Sequence, residues 1–206
     1  MIKNLLSFNT TARKANYLLY ALHYHMSMRP ADLSREARER FLEDVSRKAS
    51  YYEQEYHGCC EATLLALLES FNIPLTHLRA ATGFAAGIGL RGLTCGALCG
   101  GAMAIGLIFG RSYEDYVSHD PAGKHYVALR LAKTLVDRFR EQFGGTTCKE
   151  VQTRVLGRWY DLWDREQYRM FNEMGGHDSR GCPSVCGRAA RLAAEIILDE
   201  LSRKKA

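Results

Sequence analysis

The chain has 206 residues, 47% of them hydrophobic and 25% charged, the balance of an ordinary globular protein. That length gives room for one domain with a real core and excludes a disordered, collagen-like or low-complexity chain. With 28 basic against 23 acidic residues the net charge is +5, and no basic stripe is interleaved with aromatics, so a nucleic-acid partner is not implied.

From Met1 to Leu6 the chain lacks the apolar run and small-residue cleavage site of a secretory signal, so a cytoplasmic location is expected. Leu18, Leu19, Ala21, Leu22 and Met26 recur at helical spacing and predict a first helix over Thr11–Met28, broken at Arg29-Pro30. His23 and His25 are two apart and point to different faces of that helix, a poor pair for a shared metal. Asp32 or Ser34 caps the next helix, which runs through Ala37, Phe41, Leu42 and Val45 toward Tyr56. Its charges, from Arg35 to Asp44, read as a solvated face. Residues 1–55 are therefore expected to form an N-terminal helical extension packed on a core domain of residues 56–206. A homodimer is one way to bury the first helix.

His57-Gly58 is a break, after which an apolar helix runs from Cys59 to about Phe71. Pro74 leads to a glycine-rich loop, Thr82 to Gly92. These glycines follow no strand and lack a P-loop lysine, which disfavours nucleotide binding. The longest uncharged stretch, Leu93 to Phe109, is diluted by Gly96, Gly100, Gly101 and Gly106, and it reads as a buried core helix rather than a membrane span. Gly96 and Gly100, four apart, would let another backbone approach closely.

Pro121-Ala122-Gly123 separates a tyrosine-bearing turn from an amphipathic helix with Val127, Leu131, Leu135, Val136 and Phe139 on one side, ended by Gly144-Gly145. Thr147 and Glu150 form a capping-box pattern for a helix opening at Cys148. Residues 157–181 carry Trp159, Tyr160, Trp163, Tyr168 and Phe171 and end in a glycine-rich run, predicting an inserted helix plus a flexible loop. The last helix starts at Pro183 and runs to Leu201. No strand pattern or internal repeat emerges. The expected fold is all-α, a single-domain helical bundle with a Gly-rich buried central helix.

Seven cysteines are the unusual feature. The odd count in a chain without a secretory signal makes metal or redox chemistry the leading class over a disulfide framework. Cys59 follows Gly58, Cys95 follows Thr94, Cys148 follows Thr147 and Cys182 precedes Pro183, so four cysteines sit in the first turns of four predicted helices. Helix starts present unpaired N–H groups and partial positive charge, which lower a thiol's pKa and favour the thiolate that binds soft metals and iron–sulfur clusters. Cys60 adjoins Cys59, while Cys99 and Cys186 follow Cys95 and Cys182 by four residues, on the same helix faces. They read as extra ligands for a larger or second cluster, as resolving thiols, or as small core residues. His57 is a helix-boundary residue or a metal ligand. His177, shortly before Cys182, is a solvated loop histidine or a gate and proton donor.

These segments resemble the C_GCAxxG_C_C family of redox-active proteins, found mostly in anaerobic microbes. The strongest likeness is Thr94-Cys95-Gly96-Ala97-Leu98-Cys99-Gly100. Gly87-Ile88-Gly89 and Gly106-Leu107-Ile108-Phe109-Gly110 flank it in the same style. Cys59-Cys60-Glu61-Ala62-Thr63-Leu64, Phe143 to Glu150 and Cys182-Pro183-Ser184-Val185 resemble the first, third and fourth cysteine segments. The resemblance covers about Tyr56 to Leu201 and implies Cys59, Cys95, Cys148 and Cys182 as the family's cysteines. The family is similar to the non-haem part of split-Soret cytochromes, for which an iron–sulfur centre has been proposed. The chain departs from the pattern in its N-terminal extension, its aromatic insert, its three added cysteines and its lack of CxxCH, so covalent c-type haem is not supported.

The expectation is an iron–sulfur protein for electron transfer to a redox partner, or for cluster-based reduction of a small molecule. Cys59, Cys95, Cys148 and Cys182 would be the metal ligands, and Cys60, Cys99 and Cys186 further cofactor-binding residues. A metal-free thiol–disulfide oxidoreductase using Cys95/Cys99 or Cys182/Cys186 and a structural zinc or purely structural helical protein are the alternatives.

Overall fold

The computed structural model describes residues 33–203. The helix expected over Thr11–Met28, with His23 and His25, lies outside the described residues. The elements are α1 (Arg35–Tyr56), α2 (Cys59–Ser70), a 3₁₀ segment (Leu75–Phe84), α3 (Gly96–Phe109), α4 (Tyr113–Val117), α5 (Lys124–Phe143), α6 (Cys148–Leu156), α7 (Arg165–Glu173) and α8 (Cys182–Arg203). Among the described residues the only β pairing is one isolated antiparallel bridge, Thr94 with Thr147. The fold is all-α, and no described helix is long and apolar enough to cross a membrane.

Local chemistry sets most boundaries where the sequence puts them. The Ser34 hydroxyl accepts from the Ala37 N–H and starts α1. The Thr147/Glu150 capping box is fully formed at α6. Gly144, in the left-handed region, ends α5. Two elements differ from expectation. The tyrosine-bearing turn is the short helix α4, opened by a Ser112/Asp115 capping box. The connection after Pro74 winds into 3₁₀ geometry before the glycine-rich turns begin.

Helix α3 is the buried centre of the bundle. One side packs on α2, the other on α5 and α8, while α1 lies along α8 and α2. Gly100 explains the tight α2–α3 contact: a Cβ there would meet the Cys60 carbonyl and the Leu64 nitrogen. On the far side Gly101 faces Leu135 of α5 and Ala193 of α8. The buried stripe of α5 is Leu131, Leu135, Phe139 and Phe143. The alanines of α8 at 189, 190, 193 and 194 let the long helices close on one another. On α1 the charged face is mostly exposed, with Arg38 half-buried and paired to Asp199 of α8 at 2.7 Å.

A cysteine-lined candidate site

Four helix starts converge at one end of the bundle. Cys59 opens α2 directly after His57 and Gly58, whose positive φ angles of 61° and 76° turn the chain sharply out of α1. Cys148 opens α6 and Cys182 opens α8. Cys95, rather than Thr94, is the N-cap of α3. The bridge between Thr94 and Thr147 joins two of these starts: the Cys95 N–H donates to the Thr146 carbonyl at 2.8 Å, and the Cys148 N–H donates to the Leu93 carbonyl at 2.6 Å. Cys95 and Cys148 are thus held side by side by backbone before either helix begins.

Cys59, Cys95, Cys148, Cys182 and Cys186 all line a cavity of about 320 Å³. Leu162, Tyr168 and Phe171 from the aromatic insert form one wall. The other two cysteines stand apart from this lining. Cys60 is buried in the core with its thiol 3.8 Å from the Met103 sulfur, and Cys99 is half-buried with its thiol 4.0 Å from the Thr94 carbonyl. The spacing of four therefore has different outcomes: Cys182 and Cys186 share the cavity, whereas Cys95 and Cys99 do not. All seven cysteines are free thiols.

The cavity thiols are spread around its walls and do not meet at one point. A tetrahedral zinc with bonds of about 2.3 Å holds its sulfurs about 3.8 Å apart. Among the described residues no three cysteine sulfurs lie within 4.8 Å of one another, so the thiols surround a volume, not a point. Gly96 keeps that volume open on one side: a Cβ there would overlap the Cys59 sulfur and press on the Phe84 carbonyl at 2.9 Å. The cavity presents five thiols, and at its edge Glu53, His57 and His177 add carboxylate and imidazole donors.

The thiol electrostatics correct the sequence expectation. Burial, not the helix-start field, dominates. It pushes Cys59 up to about 11 and Cys148 up to about 12, and raises Cys95, Cys182 and Cys186 well above the ordinary thiol value. Neighbouring thiols add to the rise: Cys59 acts on Cys95, Cys148, Cys182 and Cys186. The Ala97 and Leu98 N–H groups at the start of α3 pull Cys95 down, but by less than burial raises it. Burial thus favours the neutral thiol at each of these positions.

Two sulfurs accept hydrogen bonds from outside their own helices' first turns. The Ala86 N–H donates to Cys59 Sγ at 3.4 Å, and Gln152 Nε2 donates to Cys148 Sγ at 3.5 Å. Gln152 is 2% exposed, and its Oε1 accepts the Tyr160 N–H at 3.0 Å. That second bond fixes the amide, so its NH₂ end must face the sulfur. Sequence reading missed Gln152, although its place four residues after Cys148 on a helix is the signal that could have found it.

Glu53 was also missed. It is 1% exposed at the cavity edge and hydrogen-bonded to His177 Nδ1 at 2.8 Å. His177 is therefore not a solvated loop histidine. Its ring lies 3.8 Å from that of His57 and edge-on to Phe171. The segment after α7, expected as a flexible loop, is tied by bonds from the Gly176 N–H to the Phe171 carbonyl and from the Cys182 N–H to the Gly176 carbonyl.

Compared with known families, residues 57–196 match the one described as "Putative redox-active protein (C_GCAxxG_C_C)". The match takes in all seven cysteines and more than half of the chain. No curated protein and no solved structure matches.

Proposed function

The chain belongs to the C_GCAxxG_C_C redox-active family, and from that premise we propose that it is an iron–sulfur redox protein with Cys59, Cys95, Cys148 and Cys182 as cluster ligands. The observation that carries this reading is the convergence of those four thiols, from four separate helix starts, on one cavity. A cluster bound there supplies one-electron storage and transfer, for passage to a redox partner protein or to a small molecule. Cys186 is a fifth thiol in the same cavity, available to a larger cluster. Cys60 and Cys99, turned to the core and to the Thr94 carbonyl, serve packing instead.

The chain's other residues prepare the site. The Ala86 and Gln152 N–H groups direct positive charge at two ligand sulfurs, which favours the more reduced state. Leu162, Tyr168 and Phe171 add an apolar wall to the cavity that holds the thiols. Gly96 leaves room for the Cys59 sulfur.

The separation of Cys95 from Cys99, only one of which lines the cavity, and the burial that favours the neutral thiols weigh against a metal-free thiol–disulfide oxidoreductase, because the attacking species in exchange is the thiolate. Anaerobic purification with iron and acid-labile sulfide analysis and an absorption spectrum tests the proposal. Stoichiometric iron and sulfide, lost together in Cys95→Ser, is the expected result. A colourless, iron-free and fully folded protein overturns it.

A further inference from the structure

Beside the thiols the same cavity carries a second donor set that owes nothing to sulfur. Glu53, His57 and His177 each offer a ligand atom, and the three atoms lie within 4.8 Å of one another. Bonds of about 2.0–2.2 Å from nitrogen and carboxylate oxygen place the donors of one ion about 3–4 Å apart, so small side-chain rotations bring this trio to coordinating distance.

One feature beyond the trio's own contacts marks it as a site. Glu53 is 1% exposed, and its Oε2 has no hydrogen-bond partner, an uncompensated acceptor in a place where burial without a partner is costly. His57 holds a φ of 61°, uncommon for a non-glycine residue, and its ring lies 3.8 Å from that of His177. The third ligand comes from the insert, which bends back across the cavity to place His177 on Glu53 at 2.8 Å. Glu53 precedes the family-matched span 57–196, so the trio combines a residue of the N-terminal helix with two inside that span.

We propose that Glu53, His57 and His177 bind one divalent first-row transition ion, with the ferrous or zinc ion as the natural occupant. Two imidazoles and one carboxylate are the donors such ions favour, and three protein ligands leave coordination positions open toward the cavity. A cation on the Glu53 carboxylate compensates a buried acceptor that otherwise lacks a partner. This goes beyond the iron–sulfur reading and uses none of its ligands.

The test is titration of anaerobically purified full-length protein with Co(II), followed by its d–d and thiolate charge-transfer bands, with iron and sulfide counted in the same samples. One equivalent of Co(II) is expected, bound without thiolate charge transfer. That binding should weaken at least tenfold in Glu53→Gln and in His177→Ala and persist in Cys95→Ser. His57→Asn guards against misfolding, since His57 is exposed and asparagine tolerates its backbone angle. It too should weaken binding while the circular dichroism and melting temperature stay unchanged. Cobalt held with thiolate charge transfer and indifferent to the His177 and His57 variants would assign the ion to the cysteines and overturn the proposal. Absence of cobalt binding would overturn it equally, leaving Glu53–His177 a hydrogen bond that anchors the insert. Either failure leaves the iron and sulfide counts, and so the cluster reading, to stand or fall separately.

Discussion

Gln152 shows how one buried amide ties two parts of the candidate site together. Its two ends are committed to different partners, the Tyr160 N–H and the Cys148 sulfur. Gln152→Met keeps the volume but removes both bonds. The orphaned Tyr160 N–H should cost about 1–3 kcal/mol of stability, read by denaturant unfolding. In protein carrying its cluster, loss of the donor to sulfur should shift the reduction potential to more negative values, read by potentiometric titration. A potential unmoved by the substitution would show that the Gln152 amide does not reach a ligand. Gly96→Ala works through space instead. Its methyl group would sit on the Cys59 sulfur and against fixed backbone at Phe84, so about 1–3 kcal/mol of destabilisation is expected, with reduced iron retention on gel filtration.

At the scale of elements, the helices and their caps were readable because each is written in a few neighbouring residues. Ser34, Gly144 and the Thr147/Glu150 box are local signals with local outcomes. Thr147→Ala removes one such signal and should cost about 1 kcal/mol, measured by thermal melting. The looser start of α6 should show as faster hydrogen exchange at Glu150, whose N–H donates to the Thr147 hydroxyl. What the sequence hid depends on contacts between distant segments. Glu53 looks like one more charge on a solvated helix, and only the insert, folding back from more than a hundred residues away, buries it. The helix-start thiols were placed well but their ionisation was misjudged, because burial is a property of the assembled cavity and not of any one turn. The separation of Cys95 from Cys99 is hidden for the same reason: spacing gives a shared helix face, and α2 and α3 together decide what that face meets.

For the whole molecule, the raised thiol pKa values couple stability to pH. A thiol whose folded pKa exceeds its unfolded value binds its proton more tightly in the native state. Its contribution is fully present below the unfolded value near 9 and is lost as pH rises through the folded values, about 11 for Cys59 and about 12 for Cys148. Metal-free protein should therefore lose stability progressively above about pH 9, and Cys148→Ser should flatten part of that fall in urea titrations across the range. An identical slope in the variant would mean that Cys148 is not desolvated in solution.

The short bridge between Thr94 and Thr147 bears on how the proposed cluster would be inserted. Small zinc domains fold only when metal arrives, because nothing else holds their ligands together. Here two of the sulfur-bearing turns are already stitched by amide-to-carbonyl bonds that need no ion. If the proposed cluster binds, its insertion would meet two turns already joined by backbone. The backbone amide protons of Cys95 and Cys148 should then exchange with deuterium as slowly in empty protein as those of the central helix.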